Sequence, residues 1–347
     1  MLTWAIVTLI VGGLIWAYQA MKPPPSKICG LQNGPPFNSP RIRLSDGRHM
    51  AYKLRGVAKE YAKYKVILTH GFCASKDTYI PVSDEWLDEM GICLVTFDRP
   101  GYAESDPNSK RSPRRDAFDI QELADELGLG SKVYVIGLSM GTYPIWGCLK
   151  YIPQRFSGVA LVVPVINYWW PSLPPELCSA VYRKLRFLEQ WRLRIAHHTP
   201  TLAWMVQRWL PSPTVNTILS TNPRAFNKSD LEIMKSLSAF PSPDKHKILQ
   251  QGEYESLHRD TVVSFSKWEF DPMEISNPFP NDEGRVHLWI GQEDGIVSVE
   301  LQRHIVRKLP WMRCHEVPGG GHLIIHDRTV CEMILKSLVS EEEPSFP

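Results

Sequence analysis

The chain has 347 residues, 43% of them hydrophobic and 22% charged, enough apolar material for one large domain with an insertion or for two small ones. Thirty-nine Lys and Arg stand against 37 Asp and Glu, a net charge of +2 that offers a polyanion nothing to bind and excludes nucleic acid as an expected partner. The seven cysteines, Cys29, Cys73, Cys93, Cys148, Cys178, Cys314 and Cys331, include no CxxC pair. That argues against a zinc site or redox dithiol and for a reducing compartment, with one disulfide left open.

At the N-terminus, LTWAIVTLIVGGLIWAY at 2–18 carries no charged side chain. As a helix rising ~1.5 Å per residue it is expected to cross most of a ~30 Å hydrocarbon core. Trp4, Trp16 and Tyr18 lie near its ends, where interfacial aromatics gather. A cleaved signal peptide is the rival reading, although no Lys or Arg precedes the apolar run. Residues 1–20 are therefore expected to be a membrane anchor with a single span. Lys22 and Lys27 follow it, so the positive-inside rule places the rest of the chain in the cytosol. The sequon Asn227-Lys228-Ser229 would matter only on the lumenal side. Residues 21–40, rich in Pro and Gly, read as an extended tether.

From residue 41 two strand-like runs flank Asp46-Gly47, a hairpin signal. VILT at 66–69 and CLVTF at 93–97 have the unbroken hydrophobicity of strands buried on both faces. Residues 119–127 place Ile120, Leu123, Ala124 and Leu127 on one helical face. VYVI at 133–136, a helix from about Gly141, and VALVV at 159–163 continue the alternation. The pattern stops after Pro164. Residues 165–280 contain no clear core strand, but carry Trp169, Trp170, Trp191, Trp204 and Trp209 among Pro-bounded helical stretches. Alternation resumes in 281–340 with VHLWI at 286–290, a helix over 299–309 and a strand over 313–317. The expected architecture is α/β: a mostly parallel central sheet with helices on both faces, its core formed by 41–164 and 281–340, and a helical cap inserted at 165–280.

Gly137-Leu138-Ser139-Met140-Gly141 follows a strand and opens a helix, the context that a G-x-S-x-G nucleophile elbow requires. The glycines permit a tight turn that lifts the serine oxygen off the sheet. A serine hydroxyl needs a base held by an acid, and in this arrangement the chain order is Ser, acid, His. Asp294 sits beyond the strand VHLWI in Gly291-Gln292-Glu293-Asp294-Gly295, with Glu293 and Asp271 as the next candidates. His322 closes the glycine-rich loop Val317-Pro318-Gly319-Gly320-Gly321-His322 after the last strand. His326 is a distant second, while His197, His198 and His304 read as surface or packing residues. The loop Thr69-His70-Gly71-Phe72-Cys73 after VILT is the expected second source of oxyanion donors, pairing the N–H of Phe72 with that of Met140. His70 reads as a brace for that loop. No metal or cofactor is implied.

These residues resemble the α/β-hydrolase (AB hydrolase-1) superfamily, and in detail an N-terminally anchored plant branch of it. The match runs from about Ser39 through SPRIRLSDGRHMAY, ILTHGF, FDRPGYAESDP, YVIGLSMG, KWEFDPMEI and VPGGGHL. The resemblance implies Ser139 as nucleophile, Asp294 as acid, His322 as base, and the backbones of Phe72 and Met140 as oxyanion hole. Ala103 replaces a usual Gly and Thr142 follows the elbow where a second Gly is common; neither change removes a catalytic group. Hydrolysis of a hydrophobic ester, in the manner of a carboxylesterase or lipase, is the leading expectation, the Trp-rich cap and the anchor both suggesting an apolar substrate. An acyltransferase using the same three residues, or a small-molecule receptor on the same fold, remain the alternatives. Ser139 argues against epoxide hydrolases and haloalkane dehalogenases, which need a carboxylate nucleophile.

Overall fold

The computed structural model describes residues 2–20, 22, 23, 25–201, 203, 222–238, 244–281, 284–340, 344 and 346. Eight strands make one sheet: β1 (Arg41–Arg43), β2 (His49–Gly56), β3 (Tyr64–Thr69), β4 (Ile92–Phe97), β5 (Val133–Leu138), β6 (Phe156–Val162), β7 (Arg285–Gly291) and β8 (Met312–Val317). Their order is β1-β2-β4-β3-β5-β6-β7-β8. β1 and β2 form an antiparallel hairpin whose turn holds Gly47 at φ +89°, and β2 runs antiparallel to β4. Every pairing from β4 to β8 is parallel.

A parallel sheet must be covered on both faces, so its strands are apolar throughout; all six residues of β4 are buried. Alternate side chains separate into two cores. Ile67, Val95, Val135 and Val159 pack with residues of the helices Pro113–Glu126, Thr142–Tyr151 and Val299–Lys308. Val66, Leu68, Leu94, Ile136 and Trp289 pack on the other face, with the helices Asp84–Glu89 and Arg328–Ser340. The helix Pro113–Glu126 starts sharply because Ser112 accepts a hydrogen bond from the N–H of Arg115 and Pro113 occupies its first turn. Parallel strands with short exits bring the ends of β3, β5, β7 and β8 to one carboxyl edge, where ligand sites of such sheets form.

Between β6 and β7 the described residues form no strand. They form the helices Pro175–Lys184, Phe187–His198, Lys228–Leu237, Lys245–Ile248 and Arg259–Phe265, with short single turns. Trp204 and Trp209 lie outside the described residues. Trp170 is buried against Trp146 and Trp268, at centroid distances of 5.8 and 5.3 Å. Trp169 stacks on His197 at 4.5 Å, and Trp191 is exposed.

The N-terminal run does form a helix, Leu2–Ala20, but the expected membrane anchor is overturned: among the described residues no helix is long and apolar enough to cross a membrane. At ~1.5 Å per residue its 19 residues rise about 28 Å, short of a ~30 Å hydrocarbon core. The single span, the membrane as partner and the cytosolic placement derived from that span all fall with it. The stretch that follows is fastened to the body. Lys27 donates its N–H to Gln251 O, and the buried Cys29 thiol lies 3.6 Å from Ala103 O. The backbone N–H groups of Asn38 and Ser39 donate to the Glu104 carboxylate. All seven cysteines are free.

Candidate active site

β5 runs directly into a single turn at Ser139–Gly141 and then the helix Thr142–Tyr151. Ser139 sits at φ +52°, a left-handed conformation that costs a non-glycine residue about 1–3 kcal/mol and must be held by its surroundings. Close packing does this. A Cβ on Gly141 would lie 2.3 Å from Thr69 O and 2.5 Å from His70 O, so only glycine lets the turn rest on the end of β3. Thr142, wholly buried, donates its hydroxyl to Ser139 O at 2.7 Å.

His322 Nε2 lies 3.0 Å from Ser139 Oγ, and His322 Nδ1 lies 2.8 Å from Asp294 Oδ2. Asp294 is fixed in turn, its Oδ1 accepting the N–H groups of Ile296 and Val297 at 2.8 and 2.9 Å. Burial disfavours the imidazolium of His322. The charge and hydrogen bond of Asp294, and then the charge of Asp230, outweigh this and raise its pKa above the ordinary histidine value. The other acids are engaged elsewhere. Glu293 accepts from Asn227 Nδ2, and Asp271 accepts from the N–H groups of Met273 and Ser172. His326 pairs through Nδ1 with Tyr79 O, and burial pushes its pKa down to about 4. His197 lies against the Trp169 ring, with Phe265 O 2.7 Å from its Nδ1.

Phe72 and Met140 both line the pocket beside Ser139. The loop that carries Phe72 is braced from beneath. Buried His70 places Nδ1 2.8 Å from Gly71 O, while its Nε2 accepts the N–H of Arg99. Burial, and then the Arg99 charge, push His70 well below its ordinary pKa, so it is a neutral strut. Arg99 donates to His70 O and Gly71 O and meets Asp260 through two bonds of 2.5 and 2.7 Å. Arg111 and Tyr102 donate to the same carboxylate. Burial would raise the Asp260 pKa, but the two arginines overcome it and hold the group ionised.

A cavity of about 380 Å³ opens beside Ser139 and His322. Its wall is mostly apolar, with Leu138, Ile166, Leu193, Phe265, Ile296 and Leu301 prominent and Glu189 and Arg192 as charged members. None of the described tryptophans lines it; Trp169 packs against His197, and Trp170 against Trp146 and Trp268. Among the described residues no cluster of His, Cys, Asp or Glu could hold a metal ion.

Two residues here escaped sequence reasoning. Asp230 accepts the N–H groups of His322 and Leu323, and Asp260 holds Arg99. Both come from the segment between β6 and β7, where no motif marks them.

An eight-stranded, mostly parallel sheet with a serine on the turn after its fifth strand is the α/β-hydrolase fold. The chain belongs to the Alpha/beta hydrolase family, whose model matches residues 66–331. It is similar in fold to the enol-lactonase from Burkholderia xenovorans LB400, at 14% identity and a TM-score of 0.59, over 87% of this chain and 98% of that one. A hydrolase from Pseudomonas aeruginosa PA01 matches at 17% identity and a TM-score of 0.58, over 87% and 98% of the two chains. A thermophilic esterase from Thermogutta terrifontis matches at 18% identity and 0.54, over 87% and 100%. At such identities the likeness is one of fold. No curated protein matches the chain, and nothing supports the resemblance to an anchored plant branch.

Proposed function

We propose that the protein is a serine hydrolase that cleaves a small hydrophobic ester through an acyl-enzyme. The observation that carries this reading is the continuous run from Ser139 Oγ to His322 Nε2 at 3.0 Å and from His322 Nδ1 to Asp294 at 2.8 Å. His322 accepts the Ser139 proton as the oxygen attacks the acyl carbon, then returns it to the leaving alcohol. Asp294 fixes the imidazole and stabilises its charged form. The N–H groups of Phe72 and Met140 hold the oxyanion, a contribution typically worth ~2.7–4 kcal/mol for each donor. Water then repeats the cycle on the acyl group. The apolar cavity wall favours a hydrophobic acyl or alcohol part. Residues 165–280 act as a helical cap on the core of 41–164 and 281–340, since Ile166, Leu193 and Phe265 form part of that wall. Esterases and a lactonase among the solved structures that share the fold are in keeping with ester chemistry.

The test is a fluorophosphonate probe applied to the purified chain and to Ser139→Ala, followed by p-nitrophenyl esters of graded length. Labelling and many turnovers, both lost in Ser139→Ala, are expected. Folded protein that neither labels nor turns over would sink the reading.

A further inference from the structure

The loop 319–323 begins with Gly319, Gly320 and Gly321, which leave its backbone free to wander unless something outside it takes up its polar groups. That something is the first turn of the helix Lys228–Leu237. Asp230 Oδ2 accepts the N–H of His322 at 3.0 Å, and Oδ1 accepts the N–H of Leu323 at 2.8 Å. Asn227, which caps this helix by accepting the N–H of Asp230, donates its amide to Gly319 O at 2.8 Å and to Glu293 at 3.1 Å. The contact is tight and buried. Asp230 is wholly buried, and a Cβ on Gly321 would lie 2.1 Å from its carboxylate.

We propose that Asp230 is a positioning residue: from the segment inserted between β6 and β7 it fixes the backbone of His322, so that the imidazole spans the gap between Asp294 and Ser139. The inference rests on the catalytic reading of Ser139 and His322 and adds a fourth group that touches neither substrate nor reacting atom. It makes the alignment of the base depend on the segment that walls the pocket. Placement errors near 1 Å cost up to about 100-fold in rate, so a carboxylate holding two consecutive N–H groups is well placed to matter. The groups facing the His322 ring are Asp294 from the loop after β7, Asp230 from the helix, His326 from its own loop and the Ser139 hydroxyl.

The test is Asp230→Asn in the full chain. The amide keeps the size and one acceptor, but it removes the charge and turns N–H donors toward one of the two backbone N–H groups. With p-nitrophenyl butyrate, kcat per fluorophosphonate-titrated site is expected to fall about 10- to 100-fold with little change in KM. The acid limb of the pH profile should move to lower pH. The His322 imidazole, followed by ¹⁵N resonance, should titrate lower by the same amount whether or not the protein turns over. Asn227→Ala should lower kcat less and leave the midpoint in place; it carries the kinetic test if Asp230→Asn does not fold. Wild-type kcat per titrated site with an unmoved midpoint would overturn the proposal, as would an unchanged rate in Asn227→Ala. If wild-type protein neither labels nor turns over, the hydrolase reading fails separately, while the His322 titration still decides the role of Asp230.

Discussion

Thr142 donates its hydroxyl to the carbonyl oxygen of Ser139, 2.7 Å away, within the turn that holds Ser139 at φ +52°. A threonine where the family commonly has glycine is thus tied into the elbow and helps to offset its strain. Thr142→Val keeps the shape and removes one donor from a partly buried carbonyl that also accepts the N–H groups of Thr142 and Val165. We expect a loss of about 0.5–1.5 kcal/mol of stability, read by urea unfolding, together with a several-fold lower kcat. Unchanged stability would mean that the turn is held by packing alone.

The pH profile follows from the sign of the His322 shift. The base works only as neutral imidazole, and Asp294 and Asp230 together outweigh burial and raise its pKa. Activity is therefore lost on acidification from a midpoint above the ordinary value of about 6.5. Asp294→Asn removes the principal raising group, so its residual activity should persist to lower pH while kcat falls on the order of 10⁴-fold. Rate measurements with a p-nitrophenyl ester from pH 5 to 9 decide this; a wild-type midpoint below 6 would contradict it.

Beneath the loop that carries Phe72, Asp260 pairs with both Arg99 and Arg111. Removing it leaves the buried Arg99 without its carboxylate, a change that typically costs about 3–5 kcal/mol, while Arg111 keeps Asp116. Asp260→Ala is expected to unfold at markedly lower urea. At permissive temperature its kcat should also fall, since Arg99 no longer holds His70 O and Gly71 O in register. Full stability in this variant would show that the arginines find other partners.

Leu193 lies on the helix Phe187–His198 and faces the cavity. Leu193→Trp should fill part of a 380 Å³ space, shifting preference toward shorter esters and raising KM for long ones. A chain-length series checks this, and an unaltered preference would place the substrate elsewhere in the cavity.

Much of this was legible in the sequence because it rests on local rules. Runs such as VILT and CLVTF announce strands buried on both faces, and GLSMG between a strand and a helix announces the elbow. Asp294 and His322 are candidates in the sequence because each follows a strand in a short loop, and in the fold they lie 2.8 Å apart. Asp230 could not, since its bonds to His322 and Leu323 join residues 92 and 93 positions apart and leave no trace in local composition. The order of β4 before β3 in the sheet is likewise a tertiary outcome. The described tryptophans do not line the cavity: Trp169 packs against His197 and Trp170 against Trp146, while the apolar wall is made by residues such as Leu138, Ile166, Leu193 and Phe265. The N-terminal run is legible as an apolar helix, but charge, end aromatics and an approximate length overstate its fitness to span, since among the described residues no helix is long and apolar enough.

On the proposed reading the nucleophile, Ser139, belongs to the first half of the chain and its base, His322, to the last strand's exit, 183 residues later. A ribosome adding about 5–20 residues per second needs on the order of 10–40 s to cover that interval. During that time the elbow can emerge while its serine remains an ordinary alcohol. On that reading the nascent protein carries no activated hydroxyl to acylate, and its chemistry is switched on only by completion of the sheet.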